Sequence, residues 1–119
     1  MNIARIVLLV LLALLLATTG GGKLAGLASS NAIRDSLHVP ASRWKAIGVA
    51  ELGLVVVLIA GIWLPVTGIA AALGVVVLMI GAILTRRAAG GPEQRSGIVV
   101  DGAVLVSALA AAVLGFVLL

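Results

Sequence analysis

The sequence predicts an all-α protein, an antiparallel bundle of four transmembrane helices in a single domain covering residues 1–119. Of the 119 residues, 63% are hydrophobic and only 10% are charged, and the mean hydropathy is +1.36. A soluble domain carries roughly a quarter charged residues, so this composition argues strongly against a water-soluble fold. The charged residues divide the chain into apolar runs of bilayer length. The predicted helices cover about 3–22, 44–64, 66–85 and 98–118.

Composition also limits the classes of function. The net charge is +4, but the basic residues lie between apolar runs, as in loops that flank membrane spans. The aromatic residues that could stack on bases are only Trp44, Trp63 and Phe116, so nucleic-acid binding is not expected. The chain has no cysteine and one histidine, His38. Disulfides, thiol redox chemistry and a metal site built on cysteine or histidine clusters are therefore not expected either.

The first apolar run lies between Arg5 and Lys23 and supports two interpretations. A secretory signal would need a small-residue cleavage site, and Ala17–Gly20 has that character. A retained first helix is favoured, because 18 residues make five helical turns and return Lys23 to the face of Arg5. Lys23 then ends the helix close to Glu51, the acid within the second predicted helix.

The connection at 24–43 is the longest between two predicted spans, and we expect it to lie at the membrane interface. It contains a predicted short helix from Ala32 to Leu37, which Pro40 prevents from continuing. Trp44 and Trp63 are expected to mark the two opposite interfaces, where tryptophan is enriched.

Helices two and three are predicted to form a tight hairpin. Pro65 follows helix two and is well placed to open helix three, because the first turn of a helix needs no proline N–H. The polar, turn-rich stretch 86–97 then separates helix three from helix four. Four spans place both termini on the same side of the membrane.

The basic residues predict the orientation of the bundle. Seven of the eight Lys and Arg residues fall in or beside the connections after helices one and three, which predicts that these connections are cytoplasmic. We therefore expect a multi-pass protein of the inner (cytoplasmic) membrane, with loops 23–45 and 86–97 inside and both termini outside. The seven are Lys23, Arg34, Arg43, Lys45, Arg86, Arg87 and Arg95, and the eighth is Arg5.

Glu51 is the most informative single residue, because it lies within the second predicted span. An acid there costs a few kcal/mol, about +2.5–3.5 on the insertion scales, unless it is paired. Lys23 is its expected partner, and Asp101 lies in the same half of the bundle. These three residues could line a polar pocket that binds a ligand head group, a quinone carbonyl or a proton. Arg5, near the opposite face, is a further candidate for ligand or proton binding.

Each of these candidates also has a purely structural interpretation. Lys23 and Glu51 could be a buried ion pair that fixes helix register, and Lys23 could instead extend to the interface. Asp101 would favour the positive end of its helix. Arg5 would be an interfacial charge at the start of the chain.

The motifs that carry these residues resemble the DoxX-like family of small four-helix membrane proteins. The resemblance covers roughly residues 1–87, and its blocks occur in order and at suitable distances. They are Thr19-Gly20 with Lys23-Leu24, Val39-Pro40, Ile47–Leu52, Gly61–Pro65 and Leu78–Ala82.

The resemblance implies a role in membrane redox systems. Some relatives are subunits of membrane oxidoreductase assemblies, including thiosulfate:quinone oxidoreductase, and others are linked to oxidative-stress defence. Lys23 and Glu51 match the family's polar positions, and Arg5 is a looser match. The expected function is an accessory or ligand-binding subunit with no cofactor of its own. Its expected partners are the lipid bilayer, membrane redox proteins, a quinone or lipid ligand, and further copies of itself.

Two other functions remain open. A small proton-coupled transporter of hydrophobic or cationic compounds could use Glu51, although small multidrug exporters carry their acid in helix one and this chain does not. A membrane enzyme acting on a lipid-like substrate would use Glu51 as acid or base, which requires a suitable geometry first. A non-catalytic role is favoured over an enzyme.

Overall fold

The computed structural model describes residues 2–117, with side chains from residue 3, and its regular structure is helical throughout this range. The predicted all-α fold is confirmed. Within residues 2–117, five α-helices and one short 3₁₀ turn follow each other along the chain. They are α1 (Asn2–Ala25), α2 (Ala28–Ser36), α3 (Ala41–Ala60), α4 (Pro65–Ala89), the 3₁₀ turn Pro92–Gln94 and α5 (Arg95–Val117).

Within the described range, three helical segments are long and apolar enough to cross a membrane: Ile3–Ala25, Pro65–Ala89 and Pro92–Val117. The remaining long helix, α3, has 20 residues and would extend about 30 Å at 1.5 Å per residue. It differs from the other three because it carries Arg43, Lys45 and Glu51.

The long helices associate as two closely packed pairs. α1 packs mainly against α3, and α4 packs mainly against α5, while the contacts of α1 with α5 and of α3 with α4 are less extensive. We call the pair α1 and α3 the first hairpin and the pair α4 and α5 the second hairpin. Neither is the predicted hairpin of helices two and three, which corresponds to α3 and α4. The shared core is apolar, with many alanines where α4 meets α5, and small residues of this kind allow helices to approach closely. Its members include Leu9, Leu12, Leu16, Leu58, Ala72, Val75, Ala108, Ala111 and Ala112.

Two glycines determine how closely the first hairpin packs. A Cβ atom on Gly48 would lie 2.9 Å from the Cβ of Lys23, and one on Gly20 would lie 3.0 Å from the Gly48 carbonyl oxygen. Real Cβ atoms essentially never approach another atom within 3.0 Å, and a contact at 3.0 Å is tighter than nine in ten. A larger residue at Gly48 would therefore push α1 away from α3, and one at Gly20 would force its neighbours to shift. This close crossing brings the end of α1 against the first half of α3.

The helix boundaries differ from the prediction mainly at the connections. The short surface helix begins at Ala28 instead of Ala32, because Gly26 adopts a positive φ of 71° and the chain is helical again two residues later. It ends at Ser36, one residue before the predicted Leu37, and His38 then adopts a positive φ of 56°.

The other helices shift by a few residues. α3 begins at Ala41, three residues earlier than predicted, and ends at Ala60, because residues 61–63 turn towards Pro65. α4 continues to Ala89 with two arginines in its last turn, where basic side chains favour the negative end of a helix. α5 begins at Arg95 instead of 98. Its predicted end at Leu118 lies outside the described residues.

Candidate functional site

Lys23 and Glu51 form the predicted ion pair. Lys23 lies in the last turn of α1 and Glu51 in the middle of α3, and the close approach at Gly20 and Gly48 aligns them. The distance from Lys23 Nζ to Glu51 Oε1 is 2.6 Å, and the two side chains are only 11% and 4% exposed. The Thr19 hydroxyl donates a hydrogen bond to Glu51 Oε2. Oε1 makes no directed hydrogen bond, so its polar contact is with the ammonium.

Trp44 completes the surroundings of the ammonium group. The Lys23 Nζ atom lies 4.6 Å from the centre of the Trp44 ring, within the range of a cation–π interaction. The indole Nε1 donates a hydrogen bond of 2.9 Å to Ser30 Oγ in α2. Trp44 is buried within the protein, whereas Trp63 is 73% exposed. Trp44 therefore ties α2 to the first hairpin and covers Lys23.

Asp101, for which the sequence indicated no side-chain partner, forms an ion pair with Arg86. Arg86, in the last turn of α4, donates from Nε to Asp101 Oδ2 at 2.8 Å. Its Nη1 donates to Gln94 Oε1 at 3.2 Å, and Gln94 Nε2 donates to Ser36 Oγ at 3.3 Å. Gln94 is buried. The second hairpin thus has its own ion pair, which a hydrogen-bonded chain links to the end of α2.

A cavity of about 580 Å³ lies between the two hairpins. Both ion pairs belong to its wall, so the structure does bring Lys23, Glu51 and Asp101 to one cavity. α2 and the residues after it contribute a further side of the wall. Residues from every α-helix line it, among them Leu16, Thr19, Lys23, Ser30, Ile33, Arg43, Trp44, Glu51, Leu78, Met79, Ala82, Arg86, Asp101 and Val104.

The cavity has the size and composition of a small-molecule site. Ligand pockets span roughly 300–1,000 Å³ and combine a mostly apolar wall with a few polar groups. Leu16 and Met79 are buried apolar parts of this wall, and the charged groups are grouped in the two ion pairs and Arg43. Such a site can hold the apolar part of a molecule away from water while a polar head meets the charged groups.

Arg5 lies elsewhere, and its guanidinium group is bound inside the protein. Its Nη1 donates to the Gly61 carbonyl at 2.7 Å and its Nη2 to the Ile62 carbonyl at 3.0 Å. Only 3% of the residue is exposed, and Gly68 lies beside the guanidinium group. Arg5 therefore satisfies carbonyl groups left free at the end of α3, and it is not among the residues that line the cavity.

Sequence reasoning missed Thr19, Trp44, Arg86 and Gln94 as parts of this site. For Thr19 a signal was available, because it precedes Lys23 by four residues and so shares its helix face. Arg86 is separated from Asp101 by a connection whose path the sequence did not define. Gln94 lies within that connection, in the 3₁₀ turn.

Comparison with known proteins identifies the family of the chain. The model of the DoxX-like family matches residues 7–117, which extends beyond the range 1–87 of the motif resemblance and includes α5. No curated protein and no solved structure matches the chain. Since the family model covers nearly the whole chain, the protein belongs to the DoxX-like family.

Proposed function

We propose that all four long helices span the membrane and that the cavity lies in the cytoplasmic half. Three helices already have the length and composition of spans. α3 carries three charges, but Arg43 and Lys45 lie in its first turns, where such side chains reach lipid head groups, and Glu51 is paired with Lys23. The basic residues flank the connections at the cavity end, which supports a cytoplasmic location for that end. Both termini are then outside.

We further propose that the protein is a non-catalytic, ligand-binding subunit of a membrane redox or oxidative-stress system. The observation that carries this proposal is the cavity of about 580 Å³ with two ion pairs in its wall. A purely structural bundle would fill this space with side chains, because membrane helices associate through close packing. Family membership supports a function in a redox system, since some relatives are subunits of oxidoreductase assemblies. The ligand would be a quinone or lipid.

The residues of the site have separate tasks in this proposal. The ion pair between Lys23 and Glu51 holds the first hairpin together, and that between Arg86 and Asp101 holds the second. Each pair keeps its charges neutralised in an apolar surrounding, where an unpaired charge is costly. The two hairpins can then remain apart at this end while the charges of Lys23, Glu51, Arg86 and Asp101 stay paired, which leaves Arg43 as the lining charge without an acid partner in the described part of the chain.

Purification in a mild detergent, followed by extraction and mass spectrometry, tests the proposal. A quinone or lipid should copurify in fixed proportion to the protein, together with any redox partner protein. Ala82 lines the cavity, so Ala82→Phe should displace the small molecule. Ala110 is exposed on α5, so Ala110→Phe is the matched control and should retain it. Equal retention by both variants, or no retained molecule in the unmodified protein, would contradict the proposal.

A proton-coupled transporter is the second candidate, because a buried carboxylate, Glu51, faces the cavity. In proteoliposomes with an imposed proton gradient, a transporter would move a cationic dye, and Glu51→Gln would abolish the movement. The accessory-subunit proposal expects no gradient-dependent dye movement in either protein.

A further inference from the structure

We infer that the cavity takes a single-chain amphiphile with an anionic head, a carboxylate or a phosphate, which enters from the bilayer. This inference rests on the proposed ligand-binding function and narrows it, since it disfavours neutral quinones. Two features carry it: the charge balance of the cavity wall and the apolar, partly exposed side of the same wall.

The charged residues that line the cavity leave an excess of positive charge. Three are basic, Lys23, Arg43 and Arg86, and two are acidic, Glu51 and Asp101. Each acid already has a basic partner, at 2.6 Å for Glu51 and 2.8 Å for Asp101. Subtracting these two pairs leaves one positive charge, which a neutral ligand would leave uncompensated.

The charged hydrogen-bond donors that remain available include two guanidinium groups. Lys23 is occupied by Glu51 and covered by the Trp44 ring. Arg86 uses Nε and Nη1 within the protein, whereas its Nη2 donates to no group of residues 2–117. Arg43 has no acid within ion-pair distance in the same range. Guanidinium groups bind carboxylates and phosphates with paired, charge-assisted hydrogen bonds, so these two arginines favour an anionic head.

The apolar side of the cavity wall suits a hydrocarbon chain. Leu16 and Met79 provide buried surface, while Val77 is 69% exposed and Val100 is 55% exposed, although both line the cavity. These valines lie on α4 and α5, which are candidate membrane spans, so their exposed sides face lipid. The cavity is therefore accessible from the bilayer, and a chain can enter sideways with its head directed to the arginines.

The test compares a fluorescent fatty acid with its uncharged ester. cis-Parinaric acid and its methyl ester have the same chain, and both are titrated into the full-length protein in a non-ionic detergent. The acid should bind about tenfold more tightly, which corresponds to one charge-assisted hydrogen bond. Arg43→Gln, at an exposed position without a partner, should lower this ratio about threefold, as a weaker exposed interaction would.

Arg87→Gln is the control, because Arg87 is exposed and adjacent to Arg86 but does not line the cavity. It should leave the ratio unchanged. Dodecanoate and dodecyl phosphate should both displace the probe, whereas dodecanol and inorganic phosphate should not. Equal binding of acid and ester, an equal effect of Arg87→Gln, or displacement by inorganic phosphate alone would overturn the inference while leaving the ligand-binding function standing. Failure of both probes to bind would also overturn the inference, whereas the ligand-binding function would be overturned only if no quinone or lipid copurified with the protein.

Discussion

Removing the negative charge of Glu51 should destabilise the bundle, although the substitution by glutamine hardly changes the size of the side chain. Glu51→Gln keeps the shape of the side chain and the hydrogen bond from Thr19, but it leaves the Lys23 ammonium without a counter-charge. That side chain is only 11% exposed. Removing one partner of a buried ion pair costs about 3–5 kcal/mol. The Trp44 ring offsets only about 0.5–2 kcal/mol of this through the cation–π interaction, so a net loss of about 1–4.5 kcal/mol is expected.

A double variant at Lys23 and Glu51 distinguishes the interaction between the two charges from the interactions of each with the rest of the protein. Replacing both members of a buried ion pair with uncharged groups is often neutral or stabilising. Lys23→Met combined with Glu51→Gln should therefore be more stable than either single variant. The assay is reversible unfolding by sodium dodecyl sulfate in mixed micelles, followed by circular dichroism. It gives a free energy of unfolding for each protein and hence a coupling energy between the two positions.

An exposed ion pair in the same chain provides the control. On α2, the distance from Arg34 Nη2 to Asp35 Oδ1 is 3.2 Å, and the Asp35 side chain is 70% exposed. Asp35→Asn should change the free energy of unfolding by no more than about 0.5 kcal/mol, as expected for exposed pairs. The reasoning would be refuted if Glu51→Gln behaved like Asp35→Asn, or if the effects at Lys23 and Glu51 were simply additive.

Three further predictions concern packing and capping. Gly48→Ala should separate α1 from α3 and lower the free energy of unfolding by about 1–3 kcal/mol, as overpacking does. Gly53→Ala, with no atom within 4 Å of the added Cβ, should not lower it, and detergent unfolding measures both variants. Arg5→Met leaves the carbonyls of Gly61 and Ile62 without their donors, so it should lower stability by about 1–3 kcal/mol in the same assay without changing cavity-ligand retention. Trp44→Phe keeps an aromatic ring beside Lys23 but loses the bond to Ser30, so amide hydrogen exchange in α2 should become faster while exchange in α1 stays the same.

The helices and the first ion pair could be predicted because they depend on local rules. The apolar runs are interrupted at few positions, so the number and approximate extent of the helices follow from hydropathy alone. Glu51 needed a partner because an unpaired acid is costly within a span, and Lys23 was the basic residue that ended the preceding helix. The cost of an unpaired charge thus identified a contact between residues 28 positions apart.

A polar pocket beside Lys23, Glu51 and Asp101 was predicted, but the second ion pair and the extent of the cavity could not be predicted in this way. Arg86 was assigned to a polar connection, but α4 continues through it to Ala89, and this extension brings Arg86 to Asp101. Arg5 binds backbone carbonyls, which leave no trace in the sequence. The residues beside Trp44 in the sequence, Arg43 and Lys45, do not indicate whether its side chain faces lipid head groups or a cavity in the protein. The empty volume itself depends on how two hairpins pack, which no single residue encodes.

The fluorescence of Trp44 provides the most direct test of a ligand in the cavity between the hairpins. Trp63 is 73% exposed and does not line the cavity, so Trp63→Phe leaves Trp44 as the only indole. Titration with a short-chain quinone or a brominated fatty acid, both quenchers of indole fluorescence, should reduce the emission of Trp44 to a saturating limit. Ala82→Phe in the same background should abolish the saturable part. Quenching that rises without saturation for both ligands, or that is unaffected by Ala82→Phe, would contradict a ligand site in this cavity.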